Sequence, residues 1–180
     1  MHRRFKPGEF VFVAYMGDIA WAKSEWRELI LERVYIFPET NFLFQSKDPV
    51  IFCSFDWPKL PNIYYGTTIE TTRDYRLTKA PVPYERYKAM VSLKHLHKFI
   101  SIEPICDFDL PTLVDWMKDI KPEIIEVGAD NYHNSLVEPP WWKVEMLLDI
   151  LKAICPRVVE KEGLERLKEV RHEGSSDSDY

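Results

Sequence analysis

Apolar runs of four to seven residues recur along the chain, each closed by a polar or charged residue. They are Phe10 to Met16 before Gly17-Asp18, Phe42 to Gln45 before Ser46-Lys47, and Ile63 to Ile69 before Glu70. Phe99 to Ile102 before Glu103-Pro104 and Ile124 to Ala129 before Asp130-Asn131 complete the series. Runs of this length, rich in β-branched and aromatic residues, predict buried strands. Arg157-Val158-Val159 predicts a short sixth strand.

Between the strands the period changes to that of a helix. Ser24 is a candidate N-cap for a helix that places Trp26, Leu29, Ile30 and Arg33 on one face. Tyr84 to His95 predicts a second helix after the Pro81-Val82-Pro83 turn, with His95 and His97 on the surface beside Lys94 and Lys98. Asp109 caps a third, in which Leu110, Leu113, Val114, Met117 and Ile120 form an apolar stripe. A fourth starts at Pro139-Pro140 and carries Val144, Leu147, Leu148, Leu151 and Ile154. Such stripes read as core. Trp141-Trp142, at the start of that helix, reads as a packing anchor rather than a stacking platform. Residues 48–62 are broken by Pro49, Pro58 and Pro61 around Phe52, Phe55 and Trp57, which predicts a short helix and an extended connection.

Strands alternating with helices of this length predict βα units and a parallel sheet, because a parallel connection needs a long crossover. The expected fold is α/β. Five or six units fit the chain, whereas a closed eightfold barrel takes about 250 residues; an open or partial barrel, or a doubly wound sheet, therefore satisfies the pattern. Neither GxGxxG nor GxxxxGK[ST] occurs, which weakens the nucleotide-binding forms of the doubly wound sheet. One domain over residues 5–160 is expected, followed at 161–180 by a short helix and a disordered acidic, Ser-rich tail.

Charge and composition narrow the function classes. Among 180 residues, 46% are hydrophobic, enough for a sizeable core, and the net charge of -5 gives no electrostatic case for nucleic acid. No 18-residue apolar run and no signal-like segment occur, so a cytoplasmic protein without a membrane partner is expected. Cys53, Cys106 and Cys155 lie about fifty residues apart, a spacing that suits neither a disulfide framework nor a metal-binding pair. All three read as buried thiols.

Ligands of βα sheets and barrels bind at the carboxyl ends of the strands. The residues that fall there are Gly17, Asp18, Lys47, Thr68, Glu70, Ser101, Glu103 and Asp130, with Thr67, Asn131 and His133 beside them. Gly17 would allow a tight turn, and Asp18 would offer a carboxylate to an ammonium or ribose hydroxyl, or else cap the following helix. Lys47 would meet an anionic group or stay solvated. Thr67, Thr68 and Glu70 would hydrogen-bond a sugar-like ligand. Ser101 and Glu103 share one face of their strand, where a buried carboxyl without a structural partner reads as functional, the competing role being an internal salt bridge.

The order of Phe12-Val13-Ala14-Tyr15-Met16-Gly17-Asp18, Asn41 to Pro49, Gly66-Thr67-Thr68-Ile69-Glu70 and Phe99 to Pro104 resembles the phage-associated, radical-SAM-like barrel family. It also resembles the barrel core of spore photoproduct lyase relatives. The likeness spans about residues 10–131 and implies a partial TIM-type βα barrel of about six parallel strands, an S-adenosylmethionine (SAM) cofactor, and a role for Gly17-Asp18 at the SAM amino group. Thr68, Glu70, Ser101 and Glu103 would contact the ribose and carboxylate. The CxxxCxxC loop that holds a [4Fe–4S] cluster in such enzymes does not occur in this sequence. A cluster is therefore expected only if its ligands come from another segment or chain, and a partner chain is expected to complete the first strand edge. The alternative is a degenerate, non-catalytic barrel that acts as a protein-interaction module. A third reading, a metal-independent βα hydrolase or lyase, would use Glu70 and Glu103 as an acid–base pair.

Overall fold

The computed structural model describes residues 3–14, 17–54, 57–132 and 134–168. Expectations that fall on Tyr15, Met16, Phe55, His133 and the tail lie outside the described residues. Six strands, β1 (Phe10–Val13), β2 (Asn41–Gln45), β3 (Ile63–Thr68), β4 (Lys98–Ile102), β5 (Ile124–Val127) and β6 (Arg157–Glu160), form one sheet. Their spatial order is their chain order, and every neighbouring pair is parallel. The helices α1 (Ser24–Ile36), α2 (Ile51–Ser54), α3 (Pro83–Ser92), α4 (Leu110–Ile120) and α5 (Trp141–Ile154) alternate with the strands. The result is an open, curled half-barrel, a partial TIM-type fold.

Period two sorts the strand residues between two apolar environments. Phe42, Phe44, Ile63, Tyr65, Ile100, Ile102, Ile125 and Val127 join the helices in the main core, with Leu113, Met117, Val144 and Leu147 opposite them. Their neighbours in sequence, Leu43, Tyr64, Phe99 and Ile124, form a separate cluster on the concave side. The register aligns that cluster across the sheet: Leu43 pairs with Tyr64, and Phe99 with Ile124. Both faces of the central strands are thus apolar at their amino-terminal ends, which explains runs without alternation.

Helix ends follow local chemistry. Asp109 accepts from the Thr112 N–H at 3.0 Å and caps α4, with Pro111 in its first turn. Lys23, not Ser24, takes the N-cap position of α1 and makes no side-chain cap. The second helix ends at Ser92 rather than reaching His95, and its last turn closes through Leu93 N–H to Ala89 O. His95 is correspondingly half-buried and Lys98 buried. The His95 ring packs on Tyr65 with Nε2 2.8 Å from Ile63 O, while buried Lys98 donates to Met90 O. Cys106 and Cys155 are buried as expected, but Cys53 is exposed.

The stripe on α1 also departs from expectation. Val34 is its one fully buried residue, and Trp26 and Leu29 are 57% and 62% exposed. The cause is position. α1 flanks β1 at the end of the sheet, and among the described residues no strand pairs with the far edge of β1. Past β6, by contrast, Leu164 and Leu167 of a 3₁₀ turn (Leu164–Lys168) are buried in the main core.

Candidate functional site

At the carboxyl ends of β2 to β5 the inward positions change from apolar to polar: Leu43 is followed by Gln45, Gly66 by Thr68, Phe99 by Ser101 and Glu103, and Ile124 by Glu126. The polar side chains, together with Leu43 and Phe99, line a cavity of about 620 Å³ inside the half-barrel. Phe10, Phe12, Leu43 and Phe99 form one apolar wall; Glu126, Lys161, Asn131 and Asn134 lie at the opposite end. The register brings Thr68 beside Ser101 and Ser101 beside Glu126, so the polar band runs across three strands. Gln45 Nε2 donates to Thr68 Oγ1 at 3.0 Å, which fixes the amide.

Two glycines make room for this arrangement. A Cβ on Gly66 would lie 2.8 Å from the Phe99 ring and 2.9 Å from its carbonyl oxygen, so Gly66 admits the ring to the concave face. At Gly128 a Cβ would lie 2.7 Å from both Cδ and Oε1 of Glu103. The Glu103 carboxyl is therefore seated against the bare backbone of the β5 end.

Glu103 makes no hydrogen bond or ion pair with any described residue. Its pKa is raised from the ordinary 4.5 by burial, with Glu126 adding to the rise and Lys161 opposing it. Glu126 does have a partner: Lys161 Nζ lies 3.2 Å from its Oε2. Sequence reasoning missed both residues of this pair. Glu126 sits between two apolar neighbours, Ile125 and Val127, and its odd position in the strand was the available signal.

The predicted site residues divide into two groups. Thr68, Ser101, Glu103 and Asp130 line the cavity; Gly17, Asp18, Lys47 and Glu70 are not among its lining residues. Asp130 is held in place, since its carboxylate accepts from Asn134 N–H at 2.5 Å and Asn134 Nδ2 at 2.7 Å. Its own N–H donates to Glu138 Oε1, and Arg166 clamps both Glu138 and the Asp130 carbonyl.

Asp18 acts as a bracket between two loops. One carboxylate oxygen caps a 3₁₀ turn (Ile19–Trp21) through Ala20 N–H at 2.9 Å, and the other accepts from Lys47 N–H at 2.8 Å. In the preceding turn the left-handed conformation falls on Ala14 (φ +58°), not on Gly17. Glu70 is buried and ion-paired, with Arg86 Nη1 at 2.8 Å and Lys47 Nζ at 3.7 Å. The internal salt bridge weighed for Glu103 is thus made by Glu70.

Cys106 is not poised as a nucleophile, and the described thiols belong to no metal-binding group. Burial, reinforced by Glu70, Asp130 and Glu138, pushes the Cys106 pKa up to about 11, which keeps it protonated at neutral pH. Among the described residues no group of three or more His, Cys, Asp or Glu side chains could hold a metal ion. The described cysteines therefore do not fit a [4Fe–4S] cluster. No described helix is long and apolar enough to cross a membrane.

Compared with protein-family models, curated proteins and solved structures, the chain matches none.

Proposed function

We propose that the inner mouth of the half-barrel binds S-adenosylmethionine or a related small molecule, and that the chain is the ligand-binding part of a radical-SAM-like barrel. The observation that carries this reading is the Glu103 carboxyl, half-buried at a central strand end, seated on Gly128 and unpaired by any described residue. Taking a carboxyl out of water without a partner costs free energy, and a cationic ligand would supply the partner.

The rest of the mouth fits the same chemistry. Phe10, Phe12, Leu43 and Phe99 offer an apolar wall to a flat base, and Gln45, Thr68 and Ser101 offer donors and acceptors to sugar hydroxyls. Asp18, Lys47 and Glu70 act as the frame that fixes the neighbouring strand ends. An iron–sulfur cluster would have to take its ligands from another segment or chain. The test is calorimetric titration of the chain with SAM. Saturable binding that weakens roughly tenfold in Glu103→Gln supports the reading, since a charge-assisted hydrogen bond contributes about 1.5–3 kcal/mol. No heat and no SAM-dependent rise in melting temperature would remove it.

A second reading, a protein-interaction module, is favoured by the exposed groove of about 530 Å³ along Trp26, Leu29, Ile30 and Ile36, and by the edge of β1 that no described strand pairs. A partner chain would add a strand to β1 and cover α1. Complexes that form with the wild-type chain and are lost in Leu29→Asp at unchanged melting temperature would carry it.

A further inference from the structure

Lys161 stands at the carboxyl end of β6, and its backbone N–H donates to Val127 O at 2.8 Å, so its root is fixed to the adjoining strand. Its ammonium reaches Glu126 Oε2 at 3.2 Å, and the side chain, 39% exposed, lines the cavity. Across the same end of the cavity lies the Glu103 carboxyl, held against Gly128. Lys161 and Glu126 pull the Glu103 pKa in opposite directions, so the three groups lie within one another's field. One strand end therefore presents an acceptor that lacks a partner, and another presents a cation kept in place by a carboxylate.

We propose that Glu103 and Lys161 form a clamp for an α-amino-acid zwitterion, Glu103 receiving the ammonium and Lys161 the carboxylate, with Glu126 as the residue that positions Lys161. This rests on the reading of the inner mouth as a ligand site. A zwitterion carries both charges on one carbon, so it can satisfy both ends of the clamp at once and leaves the net charge of the cavity unchanged. A simple cation would answer Glu103 alone, and a simple anion would meet two carboxylates. The zwitterion can be the amino-acid end of SAM or a free amino acid.

The experiment is calorimetric titration of the full chain and of Lys161→Met, Lys161→Arg and Glu126→Gln, each first matched for melting temperature. The ligands are SAM, decarboxylated SAM and free L-methionine. Wild type should bind SAM roughly tenfold or more tightly than its decarboxylated form, from the loss of a charge-assisted contact. Lys161→Met should abolish that preference by losing affinity for SAM alone. Lys161→Arg should keep part of it, and Glu126→Gln should lose clearly less SAM affinity than Lys161→Met, because the cation survives but is no longer held in place.

SAM binding with the preference intact in Lys161→Met overturns the clamp and leaves the SAM reading standing. Equal losses in Lys161→Met and Glu126→Gln also overturn it, because the ion pair would then be a structural unit. Binding of L-methionine but not SAM, lost in Lys161→Met, keeps the clamp and removes SAM. If wild type binds none of the three, both fall.

Discussion

Arg86→Met withdraws the one guanidinium that holds three separate parts of the β3–α3 region together. Its Nε donates to Pro81 O at 2.6 Å, and Nη1 donates to Thr68 O at 3.1 Å and Glu70 Oε2 at 2.8 Å. Arg86 and Glu70 are 1% and 3% exposed, so the pair is sealed from water. Methionine fills most of the volume but leaves Glu70 with Lys47 Nζ at 3.7 Å, itself half in solvent. Removing one partner of a buried ion pair costs about 3–5 kcal/mol, because the other charge stays buried. For a chain of this size 1 kcal/mol moves the melting temperature by about 2–4 °C, so a fall of roughly 6–20 °C is expected. Replacing both partners, in Arg86→Met/Glu70→Leu, removes the stranded charge and should recover at least half of the loss. Urea denaturation of the wild type, both single variants and the double variant gives the coupling directly. A loss under about 1 kcal/mol in Arg86→Met, or a double variant equal to the sum of the singles, would refute the reasoning, since a buried charge pair must behave as neither.

Glu103→Gln should change the pH dependence of stability. The folded-state pKa of Glu103 lies above its ordinary 4.5, so the folded chain holds this proton more tightly than the unfolded one. Its contribution is fully present below the ordinary pKa and is lost as pH rises through the raised one; melting curves from pH 4 to 8 should therefore fall less steeply in Glu103→Gln, and parallel curves would exclude the burial argument. Gly128→Ala places a methyl where the Glu103 carboxyl sits, at 2.7 Å, yet its obstacle is the far end of a flexible side chain. Ligand affinity should fall with little change in melting temperature, whereas a large thermal loss would mean that the β5 end cannot yield. Asp18→Ala should cost about 1–2 kcal/mol, from two backbone N–H groups that lose their acceptor, with ligand affinity unchanged. A loss of affinity at unchanged stability would instead put Asp18 on the ligand.

The strands were legible because the central ones carry runs that both faces of a parallel sheet can bury. Phe42 to Phe44 and Ile63 to Tyr65 place one apolar side chain on the helix side and the next on the concave side, as a parallel sheet covered on both faces requires. The site was legible only in part, for a reason of geometry. Sequence position says which residues end a strand, but period two decides whether they turn inward, and two residues past the end the chain can leave the pleat. Thr68, Ser101 and Glu103 keep the alternation and line the cavity. Glu70, two residues beyond β3, is taken by Arg86, whose place in α3 no strand pattern could reveal. Glu126 and Lys161 were hidden for the converse reason, being charged positions inside or just after short runs that looked fully apolar.

The same geometry ties the unfinished edge to the cavity. Phe10 and Phe12, the inward residues of β1, are 39% and 42% exposed although they form the apolar wall of the mouth. In a closed barrel the next strand would cover that wall, and the next helix would cover Trp26 and Leu29. Whatever pairs with β1 therefore also closes the cavity beside Phe12. A ligand held by Glu103 at one end and exposed to water at the other would bind more tightly once the edge is occupied, and by reciprocity ligand would tighten the edge contact. If the proposed ligand and an edge partner both bind, the two would form one coupled equilibrium, which titration of ligand with and without an edge-pairing partner would read as a change in affinity; equal affinities would separate the two.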